Sequence, residues 1–292
     1  MKFDMSAAWN DAMALIHGNR EVLAIVAGVF FLLPGLAMAV LFAEEQARAM
    51  ELLTTMLQGS ALQDDPGMAL DAAPGWFVAV SLLVFFVQLI GYLALLALMD
   101  GRRRPTVGEA IGKAFKGVLP LIGAVLLFTV GYFVVALVFS LVAGLIVGIA
   151  AATGSTALAG VLSAIVALAV VCAMFYVLVR LSLTLAEIVL GDKMNPIAAF
   201  AGSWRLTEGN SLRLFLFYLL LTIVYVVIYM LIFGVVFSVI SMIFSGTLGG
   251  LILGLVSGIL GAVFGVIWTA VMAAVYRQLS GPSAATVSET FE

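Results

Sequence analysis

The sequence predicts an all-α fold, a polytopic transmembrane helical bundle of six spans with three cytoplasmic interfacial amphipathic helices. Three observations predict it. Between Arg213 and Arg277 no residue carries a formal charge, and between Lys116 and Asp192 only Arg180 and Glu187 do. Hydrophobic residues make up 64% of the chain and charged ones 10%, whereas ordinary soluble domains carry roughly 25% charged residues. Mean hydropathy is +1.25. A soluble domain of this length cannot bury so much apolar sequence, but a bilayer needs only about 20 apolar residues per helical span.

The elements follow in chain order. Trp9, Ala12, Met13 and Ile16 recur at i, i+3, i+4 and i+7, one face of a first amphipathic helix. Span one covers about 22–43 and contains Pro34. It reads as a membrane span and not a cleaved signal peptide, because Asp4, Asp11 and Glu21 precede it where a signal peptide carries positive charge. The 44–75 segment holds Glu44, Glu45, Glu51, Asp64, Asp65 and Asp71 against Arg48, so it belongs outside. Within it, 44–58 is expected to form a short amphipathic cap through Met50, Leu53 and Leu57.

Span two covers about 76–99, with Gln88 expected to make an interhelical hydrogen bond. The next segment contains Arg102, Arg103, Arg104, Lys113 and Lys116, and opens on Thr106 and Glu109 in capping-box spacing. The apolar run behind it divides at the Gly/Ser/Thr-rich turn 151–156 into spans 118–150 and 157–190. Lys193, Arg205 and Arg213 follow that run, so both of its flanks read as cytoplasmic and the number of crossings between them is even. Asn195 and Pro196 supply an N-cap and an N1 proline to a third amphipathic helix. Ile197, Phe200, Ala201 and Trp204 line its apolar face, and Gly209 ends it. The run 214–276 divides at 245–250 into spans 214–244 and 251–276. Residues 1–277 thus form one transmembrane domain with both termini cytoplasmic, and 278–292 a disordered tail.

Candidate site residues are few. Trp9, Phe115 and Trp204 are expected to anchor the interfacial helices, with Arg102, Arg103, Arg104, Lys113 and Lys116 meeting anionic headgroups. Gly250, Gly254, Gly258, Gly261 and Gly265 form one narrow stripe on span six, and Gly144 and Gly148 a notch on span three. Such small residues let a neighbouring helix approach closely inside the monomer; a homodimer seam or a path for a lipid chain are the alternatives. Arg180, about ten residues before the end of span four, needs protein, water or a lipid phosphate beside it. Glu187 lies two turns further along that helix, so the two are read either as a structural ion pair or, through Arg180, as a headgroup site.

Tyr132, Tyr176, Tyr225 and Tyr229 form no relay, and His17 reads as solvated. Cys172 is expected to be a buried, inert thiol. One His and one Cys give no zinc ligand set, and no phosphate loop, nucleophile elbow or zincin motif is present. No cofactor is expected, and the net charge of −3 argues against a nucleic-acid partner.

The stretch from Arg180 to Asn210 resembles a pattern in bacterial inner-membrane proteins. It is similar to the membrane domain attached to some glycerophosphodiester phosphodiesterases and to related uncharacterised families. Arg180, Ser182, Leu183, Pro196, Ala199, Ser203, Trp204, Leu206, Thr207 and Gly209 carry the resemblance, while Ala186 and Glu187 depart from it. The resemblance implies a helical membrane fold in a bacterial inner membrane. Phosphodiesterase activity in that family belongs to a separate soluble barrel that nothing here matches. The sequence is therefore read as a non-enzymatic protein that organises membrane lipids or a membrane-protein partner, a second copy included. The alternative is a transporter or lipid-translocating protein with Arg180 as its headgroup site.

Overall fold

A computed structural model describes residues 3–42, 44–45, 48, 74–100, 105–152, 156–244 and 247–281. Arg102, Arg103 and Arg104, most of the expected 44–58 cap, the centres of the two hairpin turns and the end of the tail lie outside the described residues.

The described residues are helical, with no strands among them, and six helical stretches are long and apolar enough to cross a membrane. The protein is an all-α polytopic helical bundle of membrane-like composition. Helix α1 runs Met5–Ala27, passes through a π-helical turn at Gly28–Leu32, and continues as α2, Leu33–Leu41. Then follow α3 (Gly75–Leu98), α4 (Val107–Ala152), α5 (Thr156–Leu181), α6 (Thr184–Val189), α7 (Pro196–Leu206), α8 (Ser211–Ile243) and α9 (Thr247–Ser280). At about 1.5 Å per residue, the 33 residues of α8 run roughly 50 Å, well past a 30 Å hydrocarbon core.

Several local expectations hold and others need correction. Thr106 and Glu109 form the capping box: the Thr106 amide donates to Glu109 Oε2 at 2.8 Å, and the Glu109 amide to Thr106 Oγ1 at 3.4 Å. Asn195 Oδ1 accepts from the amides of Ile197 and Ala198, and Gly209 adopts φ +74° where α7 stops. Yet of the three amphipathic segments only α7 is a separate helix. The first continues into span one across a non-helical Asn19, and the second runs unbroken into α4 through Pro120. Helix α9 reaches Ser280, so residues 278–280 of the expected tail are helical instead.

The chain falls into two compact units. The first comprises Met1–Asp11, Phe115–Leu220 and Met272–Glu292; the second comprises Ala12–Ala114 and Leu221–Val271. In the second unit the glycines of α9 do what a small-residue stripe permits. A Cβ on Gly254 would sit 2.7 Å from Ala39, one on Gly258 2.9 Å from a Leu32 methyl, and one on Gly265 3.4 Å from the Tyr92 ring. Gly250 and Gly261 meet nothing within 4 Å. Phe31 packs edge-on to Tyr92 at 4.5 Å, and Tyr225 stacks on Phe264 at 3.8 Å.

In the first unit the N-terminal segment is tied down. The Phe3 amide donates to Asn210 Oδ1 at 2.9 Å, its ring meets Phe217 at 5.5 Å, and Gln278 Nε2 donates to the Asp4 carbonyl at 3.3 Å. The outer reaches of α4 and α5 expose nearly all of their apolar side chains, Cys172 included, so the expected buried thiol is corrected to an exposed one. Gly144 and Gly148 contact no neighbour. Their notch is open, and Gly144 instead lines an apolar groove of about 580 Å³ with Ala136, Ser140, Ala143, Ser163 and Ala167.

Candidate functional site

Polar and charged groups of the first unit gather where α5, α6 and α7 meet. Helix α5 ends at Leu181, the chain turns at Ser182–Leu183, and α6 starts at Thr184. Ser182 Oγ donates to the Val179 carbonyl at 2.8 Å, a local bond that competes with helix continuation. Arg180 lies in the last turn of α5, and the apolar stretch continues past the break to Val189. A cation is favoured there by the negative end of the helix dipole.

Helix α7 packs over the break with an unusual face. Its buried side is small and polar: Ala199, Gly202, Ser203 and, just beyond the helix, Thr207. Ser203 Oγ donates to the Arg180 carbonyl at 2.8 Å and accepts from the Leu183 amide at 3.1 Å. Thr207 Oγ1 approaches the same Arg180 carbonyl at 3.3 Å. Thr207 Oγ1 is nearer its own Ser203 carbonyl, at 2.8 Å, so it is the Ser203 hydroxyl that satisfies both backbone groups the broken helix leaves open. The opposite face, with Ile197 (66% exposed) and Trp204 (38% exposed), is apolar and uncovered, and Met194, just before the helix, is exposed too.

The Arg180 side chain lies beneath that exposed rim and is only 5% exposed. Its guanidinium carbon is 4.3 Å from the centre of the Trp204 ring and 5.8 Å from that of Tyr176. The two rings meet edge-to-face at 6.0 Å. Arg180 Nε is buried with no hydrogen-bond acceptor among the described residues. Glu187 does not supply one.

Glu187 is 3% exposed, and its Oε2 lies 2.9 Å from Nζ of Lys193, whose side chain is 40% exposed. At that separation the two charges form a close ion pair. Gly202 makes room for it: a Cβ there would overlap Glu187 Oε1 and stand 2.5 Å from Lys193 Nζ. Gly191 is hemmed in by the Glu187 carbonyl, Glu187 Oε2 and Tyr276 Oη, at 2.7, 2.7 and 2.8 Å from a Cβ. Positions 202 and 204 are about 200° apart around a helix, which puts the carboxylate and the guanidinium on different sides of α7. The expected Arg180–Glu187 pair is therefore corrected to Glu187–Lys193. Sequence spacing missed Lys193 because the turn that ends α6, and not helical periodicity, folds it back: Asp192 takes φ +52° and the Lys193 amide donates to the Glu187 carbonyl at 3.1 Å. A lone glycine inside amphipathic α7 was the available signal, since helix-interior glycine is costly and marks close approach.

The expected anchors Trp9 and Phe115 are exposed, as are Trp204 and Lys116, while Lys113 is half-buried. Among the described residues no cluster of His, Cys, Asp and Glu could hold a metal ion.

The profile of a domain of unknown function, DUF7847, matches residues 21–279. The chain belongs to that family. The matched region takes in the whole α5–α6–α7 junction, so the junction is part of the DUF7847 domain and not an addition to it. No curated protein and no solved structure matches the chain.

Proposed function

We propose that this DUF7847 protein is a non-catalytic, multi-pass protein of a bacterial inner membrane that organises lipid at the cytoplasmic surface through its amphipathic segments. The observation that carries the reading is the inverted face of α7. A helix on a water-soluble body turns its apolar stripe inward. Here the small, polar stripe is inward, and Met194, Ile197 and Trp204 face out, as suits a helix dipping into the headgroup boundary. Phe115 and Leu119 on α4 repeat the arrangement above buried Ala110 and Ala114, and Trp9 does so beside buried Ala8 and Ala12. Lys113, Lys116 and the arginines Arg102, Arg103 and Arg104 would add about 1 kcal/mol each near an anionic surface. Cytoplasmic termini follow from the positive-inside count. Kinship with the phosphodiesterase membrane domains, suggested by Arg180–Asn210, belongs to the same proposal.

The test is quenching of Trp204 in the full-length protein by lipids brominated near the headgroup, with Trp9, Trp76 and Trp268 replaced by Phe. Strong quenching by shallow bromines and weak quenching by deep ones is expected. A Trp204 that responds only to aqueous quenchers rules the reading out.

A further inference from the structure

We propose that Arg180, beneath Trp204 and Tyr176, binds a phosphate group, and that the phosphate is carried by a glycerophospholipid. The inference deepens the membrane-organising reading and rests on it. A buried charge is ordinarily paired, because an unpaired one keeps its desolvation penalty with nothing to offset it. Arg180 is buried and its Nε has no acceptor. The nearby buried carboxylate, Glu187, faces Lys193 instead. The Arg180 backbone carbonyl already accepts from Ser203, with Thr207 Oγ1 3.3 Å away, so those hydroxyls serve the main chain and not the guanidinium. The Trp204 and Tyr176 faces fix the guanidinium plane without neutralising it. What remains is a positioned planar fork with no anion beside it among the described residues.

A fork of this kind fits phosphate oxygens in pairs. The surroundings choose the carrier. Tyr176 and Trp204 are themselves exposed, and Ile197 and Met194 extend the apolar rim. A free phosphate would gain nothing from that rim, whereas a phospholipid lays its glycerol and acyl chains against it. Trp204 also places the site at the headgroup level that tryptophan favours.

The experiment is native mass spectrometry of the full-length protein purified in mild detergent, with phosphatidylglycerol or a neutral glycolipid added back. Wild type is expected to retain phosphatidylglycerol and not the glycolipid. R180Q is expected to lower the bound fraction about tenfold or more, as loss of charged hydrogen bonds implies, and R180K to restore only part of it. Millimolar inorganic phosphate should leave the lipid in place. Equal retention by wild type and R180Q overturns the proposal. So does a wild type that keeps no phospholipid, a result that needs no variant to fold. Displacement by inorganic phosphate overturns the lipid as carrier. Shallow-bromine quenching of Trp204 with no Arg180-dependent retention would sink the phosphate site alone, whereas absent quenching would sink the membrane reading beneath it.

Discussion

Gly202→Ala is the sharpest probe of the junction, because its sign depends on Glu187 and Lys193. An added Cβ would stand 2.6 Å from Glu187 Cδ and 2.5 Å from Lys193 Nζ. Glu187 is only 3% exposed, yet the Cβ overlaps its Oε1, so the carboxylate must shift and lose its close contact with Lys193. Breaking a fully buried pair costs about 3–5 kcal/mol. Lys193 is 40% exposed and can follow into solvent, which reduces the loss to about 2 kcal/mol. Alanine in a helix interior returns about 1 kcal/mol relative to glycine. The net expectation is destabilisation of about 1 kcal/mol, a fall of a few degrees in Tm, read by thermal unfolding in detergent at matched scan rates. Two controls isolate the cause. Gly112→Ala, where a Cβ meets nothing within 4 Å, should stabilise. In a Glu187→Ala background, Gly202→Ala should stabilise as well, giving a coupling of about 2 kcal/mol. If Gly202→Ala stabilises the wild type as much as Gly112→Ala does, the crowded carboxylate–ammonium contact is not what requires glycine.

Phe3→Ala should cost about 3 kcal/mol, because the ring is buried against Phe217; proteolysis of the N-terminal segment should accelerate in step. Gly258→Leu should sharply lower the yield of folded protein by driving α9 off Leu32, while Gly250→Leu, at an open position of the same stripe, should not. Size-exclusion profiles of the two variants separate those outcomes. Asn195→Ala removes the α7 cap and should cost about 1 kcal/mol in the same thermal assay.

The fold was legible because its solvent is simple. Long uncharged runs can only be spans, and the caps Thr106, Glu109 and Asn195 and the stop at Gly209 act within a few residues of themselves. Where the reading failed, a longer-range interaction had decided the outcome. The second amphipathic segment gave no sign that it would continue into α4 through Pro120, because a proline near the start of a long helix does not say which side of it the helix begins. The glycine notch at Gly144 and Gly148 suggests packing, yet a stripe records only that approach is allowed, not that a partner arrives.

The site was legible in its parts and not in its pairing. Arg180 and Glu187 stood out because almost nothing else in their span is charged, and seven residues of continuous helix would have put them on one face. Ser182 ends that continuity, and Ser203, which the sequence offered only as resemblance, stabilises the break by capping Arg180's carbonyl and the Leu183 amide from α7, with the Thr207 hydroxyl beside it. Once the helix is broken, α7 occupies the space between the two charges and each must find a separate solution. Glu187 takes the returning Lys193, for which Gly191 and Gly202 leave space. Arg180 takes two aromatic faces, which orient a cation but do not neutralise it. The hydroxyls of α7 therefore do more than close a turn: by preventing an internal ion pair, they leave one guanidinium available at the apolar rim.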